Sequence, residues 1–436
     1  SVTLPPDNQV TKVRRWYQVF PDPLDGMPDY RVDSPCLHNE IRGLALRHLP
    51  VVPMPNLDKL EHAFAEMKRY LIRQGFEQQL PMTIDQFIAS RRNASMRSKY
   101  TQAYELLKFT GWRSAYEIVH TFVKAEKVKD ISGKYKPPRL IQFRHPCFVM
   151  SLGSRIARQE HAFYSLKDHH GYPCIAKMHD SFQRAEMFAE FVDRRGWGVF
   201  MMDFKAFDAH QTTKVLEQEH KLMAWMNHND RKLAWLLKKT RKNTAYTVCG
   251  TKYTGADGRM SGEFTTGYGN SLNALTILRD MCTRWGIPEQ HYKIYLDGDD
   301  ANIFMNNEYK PYIDMSIVTD YGQEATYGYA TTMDDVEFCQ CKPIWDGTTW
   351  RMIRDPMRVL ERSRYSVNTF SGKGWKRLMY SIAKCELSLN AGIPIVQAWF
   401  SRVLELVGQQ DLLGPRAYER LHRMFESEWL NERPVT

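Results

Sequence analysis

At 436 residues the chain can bury a large core and has length for roughly two or three domains. Sixty Lys plus Arg against 50 Asp plus Glu give a formal charge of +10, which agrees with a polyanionic partner without establishing one. No run of eighteen uncharged apolar residues occurs, which excludes a transmembrane helix, and none of the eight cysteines forms a Cys-x-x-Cys pair, which predicts reduced thiols rather than a zinc-finger framework.

The start, Ser1-Val2-Thr3-Leu4-Pro5-Pro6, has neither an initiator Met nor the charged-then-apolar order of a signal peptide, and reads as a processed product, a readthrough portion or a trimmed chain. Residues 1–56 are Pro-rich and irregular, which predicts an extended arm over the surface. Helical periodicity dominates 57–118, as in Leu57, Leu60, Phe64 and Met67, and again in 84–87 after a Thr83 cap. Basic runs at Arg91-Arg92 and 97–99 are placed to line the path of a polyanion. Lys124, Lys127, Lys129, Lys134, Lys136, Arg139 and Arg144 then crowd into one short segment; for Lys129, Lys134 and Lys136 a solvated loop is the preferred account. Helices are expected at 155–164 and 181–194.

Residues 198–203 read as a buried strand that ends on Asp203. Asp208 follows at a turn into a helix carrying Val215, Leu216, Leu222, Met223 and Trp225; a helix N-cap explains an Asp there equally well. Between that helix and Ser261 an alternating stretch over 244–253 reads as an insertion. Residues 258–275 open as a small-residue loop and continue as a helix, with Leu272, Leu275 and Leu278 on one apolar stripe. Gly262 lets a bound strand come close to the backbone, and Ser261, Thr266 and Asn270 offer neutral hydrogen-bonding groups, the last two on one helix face.

Most informative is the stretch Tyr295-Leu296-Asp297-Gly298-Asp299-Asp300-Ala301-Asn302-Ile303-Phe304-Met305. Its flanks, 291–296 and 301–305, read as two strands joined by a tight turn in which Asp297-Gly298 supplies the positive φ. Adjacent carboxylates at such a tip repel, and a hard, oxygen-seeking cation such as Mg²⁺ or Mn²⁺ relieves the repulsion. An isolated Gly-Asp-Asp is also explained by a solvated turn. If the 198–203 strand lies beside the hairpin, Asp203 and Asp299 can hold two cations between them.

Beyond the hairpin, 309–322 reads as a helix backing the sheet, and 336–342 with 349–354 as a second hairpin turning at Asp346-Gly347. Cys339 and Cys341 would then alternate onto one strand face, as core residues in preference to metal ligands. From Arg362 the pattern is helical, with amphipathic stretches at 375–389 and 396–407.

In this order, the acidic strand, the Ser-Gly loop with its helix and the Gly-Asp-Asp hairpin resemble palm motifs A, B and C of viral RNA-dependent RNA polymerases. The chain is most similar to those of positive-strand RNA viruses of the tombusvirus-like group. Phe122-Val123-Lys124-Ala125-Glu126-Lys127 with Pro138-Arg139-Leu140-Ile141-Gln142-Phe143-Arg144 resembles their motif F, the run 203–210 their motif A, Arg259-Met260-Ser261-Gly262 their motif B, and Val336-Glu337-Phe338-Cys339-Gln340 their motif E. The resemblance covers roughly residues 115–360. It implies that Asp203 and Asp299 are catalytic metal ligands with Asp300 an auxiliary acid. Asp208 and Asn270 match the pair that recognises the 2′-hydroxyl of the incoming nucleotide, with Ser261, Gly262 and Thr266 in support. Arg139 matches the family's nucleotide-contacting arginine, and Lys124, Lys127 and Arg144 are further triphosphate contacts. Many relatives carry a lysine after the third motif that protonates pyrophosphate; residues 321–335 contain none.

The implied fold is α+β, a right-hand polymerase with fingers, palm and thumb. An arm (1–56) leads into fingers (57–195), then a palm (196–360) with a fingers insertion at about 225–257 and an antiparallel sheet backed by helices, and last a small helical thumb (361–436). The implied activity adds ribonucleotides from nucleoside triphosphates to the 3′ end of RNA on an RNA template, with two Mg²⁺ or Mn²⁺ ions. Template and product RNA would be partners, as would a membrane-bound viral replication protein that places the chain at membrane-associated complexes in the host cytoplasm. Two alternatives stay open: a reverse transcriptase, which the polar Asp208 and Asn270 oppose because reverse transcriptases carry an aromatic at the first position, and a noncatalytic RNA-binding replication protein with a palm-like fold, which has no physical need for repelling acids in one cleft.

Overall fold

The computed structural model describes residues 1–5, 13–129 and 136–413. Lys134 and the end of the expected thumb, 414–436, lie outside them.

Four antiparallel strands make the central sheet, in the order Tyr292–Asp297, Asp300–Met305, Gly198–Phe204, Ala325–Ala330. Side-chain alternation divides them between two cores. Ile294, Leu296, Ala301, Ile303, Met305, Phe200, Met202 and Phe204 join the larger core with Leu272, Leu275 and Leu278 of the helix Thr266–Arg284, whereas Tyr295, Phe304 and Val199 meet Phe188 and Phe191 on the other face. Both faces are covered, so these strands read as apolar runs rather than alternating ones. The edge strand Ala325–Ala330 escapes sequence detection because its middle is exposed and holds a glycine.

A second sheet runs Val2–Thr3, Lys252–Ala256, Asn243–Thr247, Val119–Val123, Leu140–Arg144, so the alternating insertion is stitched onto the basic segment. At the far end, helices Gly372–Asn390 and Pro394–Val407 pack together through Ala383, Leu387, Val396 and Phe400, and against Val19 and Phe20 of the N-terminal region. That region is more than a surface arm. It contains the helix Leu37–Gly43, whose N-cap Cys36 makes no side-chain cap bond and so leaves no sequence signal, and it pairs three short strands with distant partners: Val2–Thr3 with Tyr253 and Lys252, Tyr17–Gln18 with Ser366 and Tyr365, Tyr30–Val32 with Lys129 to Lys127.

Two expected elements differ. Residues 309–322 form 3₁₀ turns, Asn307–Tyr312 around Pro311 and Met315–Tyr321, instead of one helix. The second hairpin starts later, as Cys341–Trp345 with Trp350–Arg354. Cys339 and Gln340 form a two-residue turn between Phe338 and Cys341 with φ of 51° and 62°, so Cys339 and Cys341 do not share a strand face. Left-handed backbone at non-glycine residues costs roughly 1–2 kcal/mol each.

Arg144 also departs from expectation. Its guanidinium is buried: Nε donates to Glu263 Oε1 at 2.7 Å, and the other nitrogens bond the Glu117 carbonyl and Asn243 Oδ1. It ties the strands Asn243–Thr247 and Leu140–Arg144 and the approach to Val119–Val123 to the Ser-Gly loop, and its guanidinium is spent on these internal partners. Arg144→Met should therefore destabilise the chain by about 3–5 kcal/mol, because Glu263 is left buried and unpaired. Thermal denaturation checks this, and Arg144→Met/Glu263→Met should recover most of the loss.

Candidate active site

The hairpin tip is built by register. Asp300 pairs with Asp297 across the turn and with Asp203 across the neighbouring strand, so the expected adjacency of Asp203 to the acidic tip is present in the sheet itself. Gly298 takes φ 72° at the first central position of the turn, and its N–H donates to Ser271 Oγ at 3.1 Å, which pins the tip to the helix Thr266–Arg284.

Asp297 is an anchor. Its two oxygens accept from Lys177 Nζ at 2.5 Å and Arg184 Nη2 at 2.8 Å; burial pushes its carboxyl up, but those two cations hold it below the ordinary range. Lys177 and Arg184 carry no motif, and only the folded chain brings them to a turn more than a hundred positions away.

Asp203, Asp299 and Asp300 are solvent-exposed and form no ion pair among the described residues. Partial desolvation pushes Asp299 up; its own backbone amide, Arg139 and Lys177 oppose the shift and Asp203 adds to it. Asp300 is pushed up to about 6 by the same partial desolvation, then by the charges of Asp299, Asp297 and Asp203, against a hydrogen bond from the Cys339 backbone in the strained turn. Among the described residues no three His, Cys, Asp or Glu side chains converge as a complete metal cage. The donor set is nonetheless carboxylate oxygen with unrelieved like charge, which suits a hard divalent cation held by one or two carboxylates together with substrate phosphates.

Beside the acids lies a polar pair. Ala206, at φ 45°, turns the chain into the short helix Phe207–His210, which places Asp208 in its first turn rather than at its N-cap. Asn270 Nδ2 donates to Asp208 Oδ1 at 2.7 Å. Burial pushes the Asp208 carboxyl up, as does Asp299, against the Asn270 bond and the charges of Arg259 and Arg139. Asn270 Oδ1 is buried without a partner, an arrangement that costs about 1–3 kcal/mol and that a hydroxyl donor would relieve.

The other loop residues are used internally. Thr266 Oγ1 donates to the Met260 carbonyl at 2.9 Å, and Ser261 Oγ donates to the Leu140 carbonyl at 2.9 Å. The close approach that Gly262 permits is to the Gln142 backbone: its N–H donates to that carbonyl at 2.8 Å, and a Cβ would lie 2.6 Å from the same oxygen.

The remaining basic residues face a cavity of about 810 Å³ lined by Lys124, Lys127, Lys129, Lys136, Arg139, Arg358 and Arg362, with Glu126 and Glu361 among its acids. Lys124 and Arg139 share Glu126 at 3.2 and 3.5 Å, and Arg139 stays more than half exposed. Lys127 Nζ donates to the carbonyls of Arg362 and Tyr365, and Lys129 pairs with Glu361 at 3.2 Å, so Lys129 is held rather than freely solvated.

Residues 2–424 match the family described as viral RNA dependent RNA polymerase. The RNA-directed RNA polymerase of Melon necrotic spot virus is 30% identical over 310 residues, covering 67% of this chain and 38% of that protein. Those of Groundnut rosette virus and Turnip crinkle virus are 26% and 27% identical, covering 94% and 89% of this chain and 48% and 51% of the relatives. The chain spans about half or less of the length of these relatives. It therefore belongs to the viral RNA-dependent RNA polymerases of the tombusvirus-like group, and with them to the general right-hand polymerase fold.

Proposed function

We propose that the chain synthesises RNA on an RNA template, adding ribonucleotides from nucleoside triphosphates to a 3′ end. The observation that carries this is the juxtaposition of the unpaired Asp203, Asp299 and Asp300 with the Asp208–Asn270 pair. The sheet of Gly198–Phe204 and the acidic hairpin is the palm; residues 57–195 with the insertion at about 225–257 are fingers, and 361–436 the thumb. Asp203 and Asp299, with Asp300 beside them, hold Mg²⁺ or Mn²⁺. When bound, two such ions would lower the pKa of the attacking 3′-hydroxyl and neutralise the departing pyrophosphate. Arg139, with Lys124 and Lys127, supplies positive charge for the triphosphate from the basic cavity, where a guanidinium can grip phosphate bidentately. Asp208 accepts the single proton of the 2′-hydroxyl while the second N–H of Asn270 Nδ2 donates to the hydroxyl oxygen, so a ribose is recognised by a group that deoxyribose lacks. Ser261, Gly262 and Thr266 hold the loop that carries this pair.

Template and product RNA are the macromolecular partners. No described helix is long and apolar enough to cross a membrane, and attachment to membrane-associated replication complexes in the host cytoplasm would come through a viral partner protein.

Asp299→Ala should reduce Mg²⁺-dependent extension of a short RNA template to background while leaving the melting curve and RNA binding near those of the parent chain. Undiminished extension would remove the proposal. Asn270→Ala should lower the preference for NTP over 2′-dNTP by about tenfold or more, the scale of a hydrogen bond to a charged group, measured as the ratio of kcat/KM. A parent chain that prefers dNTP would point to a reverse transcriptase instead.

A further inference from the structure

Beneath the Asp208–Asn270 pair lies a charged group to which nothing above gives a role. Arg259 is almost wholly buried, yet it touches the backbone on both sides of the pair. Its amide donates to the Asp208 carbonyl at 2.9 Å. Its guanidinium lies so tightly against Gly269, the residue before Asn270, that a Cβ there would sit 2.6–2.8 Å from the guanidinium atoms. A glycine is thus required at that point of the helix for the arginine to fit.

The guanidinium is itself held from behind. Arg259 Nη2 bonds Glu219 Oε2 on the helix Thr213–Met226, and both side chains are at most 1% exposed. Glu219 Oε2 also accepts from Asn273 Nδ2 at 2.5 Å, and Asn273 Nδ2 reaches Gln211 Oε1 at 2.7 Å. Gln211 Nε2 in turn donates to the Phe207 carbonyl at 2.9 Å, closing the loop on the short helix that carries Asp208. Asn273 lies three positions beyond Asn270, on the adjoining face of one helix. The network therefore reaches Asp208 through Gln211 and Arg259, and Asn270 through Asn273 and Gly269.

Burying an ion pair in this way does not by itself favour folding, since desolvation can exceed the Coulombic gain and apolar residues of similar volume often serve as well. What a fixed guanidinium can supply that apolar side chains cannot is a rigid positive charge beside a carboxylate that must stay available as an acceptor. We propose that Arg259, anchored by Glu219 and Asn273, is the positioning residue of the sugar-reading pair, setting the alignment of Asp208 and Asn270 on which ribose selectivity depends. The inference rests on the proposed use of that pair to read the 2′-hydroxyl. It assigns selectivity to residues that never touch the nucleotide.

The test compares kcat/KM for NTP and 2′-dNTP on one primed RNA template. Arg259→Met/Glu219→Met removes both charges together and so avoids a stranded buried ion. The NTP-to-dNTP ratio should fall about tenfold, on the scale of a misaligned hydrogen bond to a charged group, through a raised KM for the ribonucleotide. Arg259→Lys, which keeps the positive charge, should recover part of the ratio. An unchanged ratio with equal losses on both substrates would overturn the proposal and leave Arg259 a purely structural residue. If the double variant does not give a parent-like melting curve, Glu219→Gln decides: it leaves Arg259 in place without its charged anchor, and a ratio equal to the parent's would again overturn the proposal. A parent chain with no sugar preference at all would instead refute the ribose reading of Asp208 and Asn270, an outcome visible before any variant is made.

Discussion

Like-charge crowding at the acidic turn is the constraint around which the rest of the molecule is arranged. Two carboxylates 4 Å apart near a protein surface repel by roughly 4 kcal/mol, a large share of the stability of a whole domain. The sheet register nevertheless brings Asp203, Asp297 and Asp300 into line, with Asp299 at the tip. The fold relieves this selectively. Asp297 receives two cations of its own, Lys177 and Arg184, and becomes part of the scaffold. Asp203, Asp299 and Asp300 are given none among the described residues, which leaves their repulsion standing.

Lys177 sits on a short 3₁₀ turn, Ala176–Met178, in an irregular connection between two helices, so its position must be fixed by other means. Lys293 does this from within the hairpin. Fully buried, it pairs with Asp168 at 2.8 Å and donates to the Tyr172 and Pro173 carbonyls at 3.1 and 2.8 Å. Leu296 N–H donates to the Cys174 carbonyl at 2.9 Å, one residue before the strand end at Asp297. The acidic hairpin thus holds the segment that holds its own Asp297. A fully buried lysine is expensive and is tolerated only with a partner and full hydrogen bonding, both of which this segment provides to Lys293 on the edge strand Tyr292–Asp297.

The acidic strand, the Ser-Gly helix and the hairpin were legible in the sequence because each combines an apolar run with a turn residue that has one physical purpose, as Gly298 shows. The pairing of Asp208 with Asn270 was legible through resemblance, and the geometry agrees. Lys177, Arg184, Lys293 and Glu219 were not, since a single charged residue inside an ordinary helix or strand pattern carries no mark of the distant partner it will meet. The burial of Arg144 was hidden for the complementary reason: a basic residue in a basic run looks solvent-facing, and only the contact with Glu263 distinguishes it. The edge strand Ala325–Ala330 was missed because alternation is a signal of burial, and an edge strand is little buried.

The basic cavity shows how chain ends that look peripheral govern the site. Glu361, itself largely buried, accepts from Tyr30 at 3.1 Å and from Lys129 at 3.2 Å, and Tyr30 and Lys129 are also strand partners. Arg364 donates to the Pro28 carbonyl at 2.7 Å and pairs with Asp22. The N-terminal region, the basic segment and the helix Pro356–Ser363 therefore meet at one carboxylate and one guanidinium. Since Lys127 also spends its ammonium on carbonyls of the 362–365 stretch, the width of the cavity that presents Arg139 is set by contacts among three segments far apart in sequence. Lys124 and Arg139 already pair with Glu126, and Lys129 with Glu361, so the same contacts fix where the cations stand on the cavity walls. Repulsion among the remaining Lys and Arg side chains opposes further closure of the walls, so the surplus of base over acid serves the geometry of this cavity.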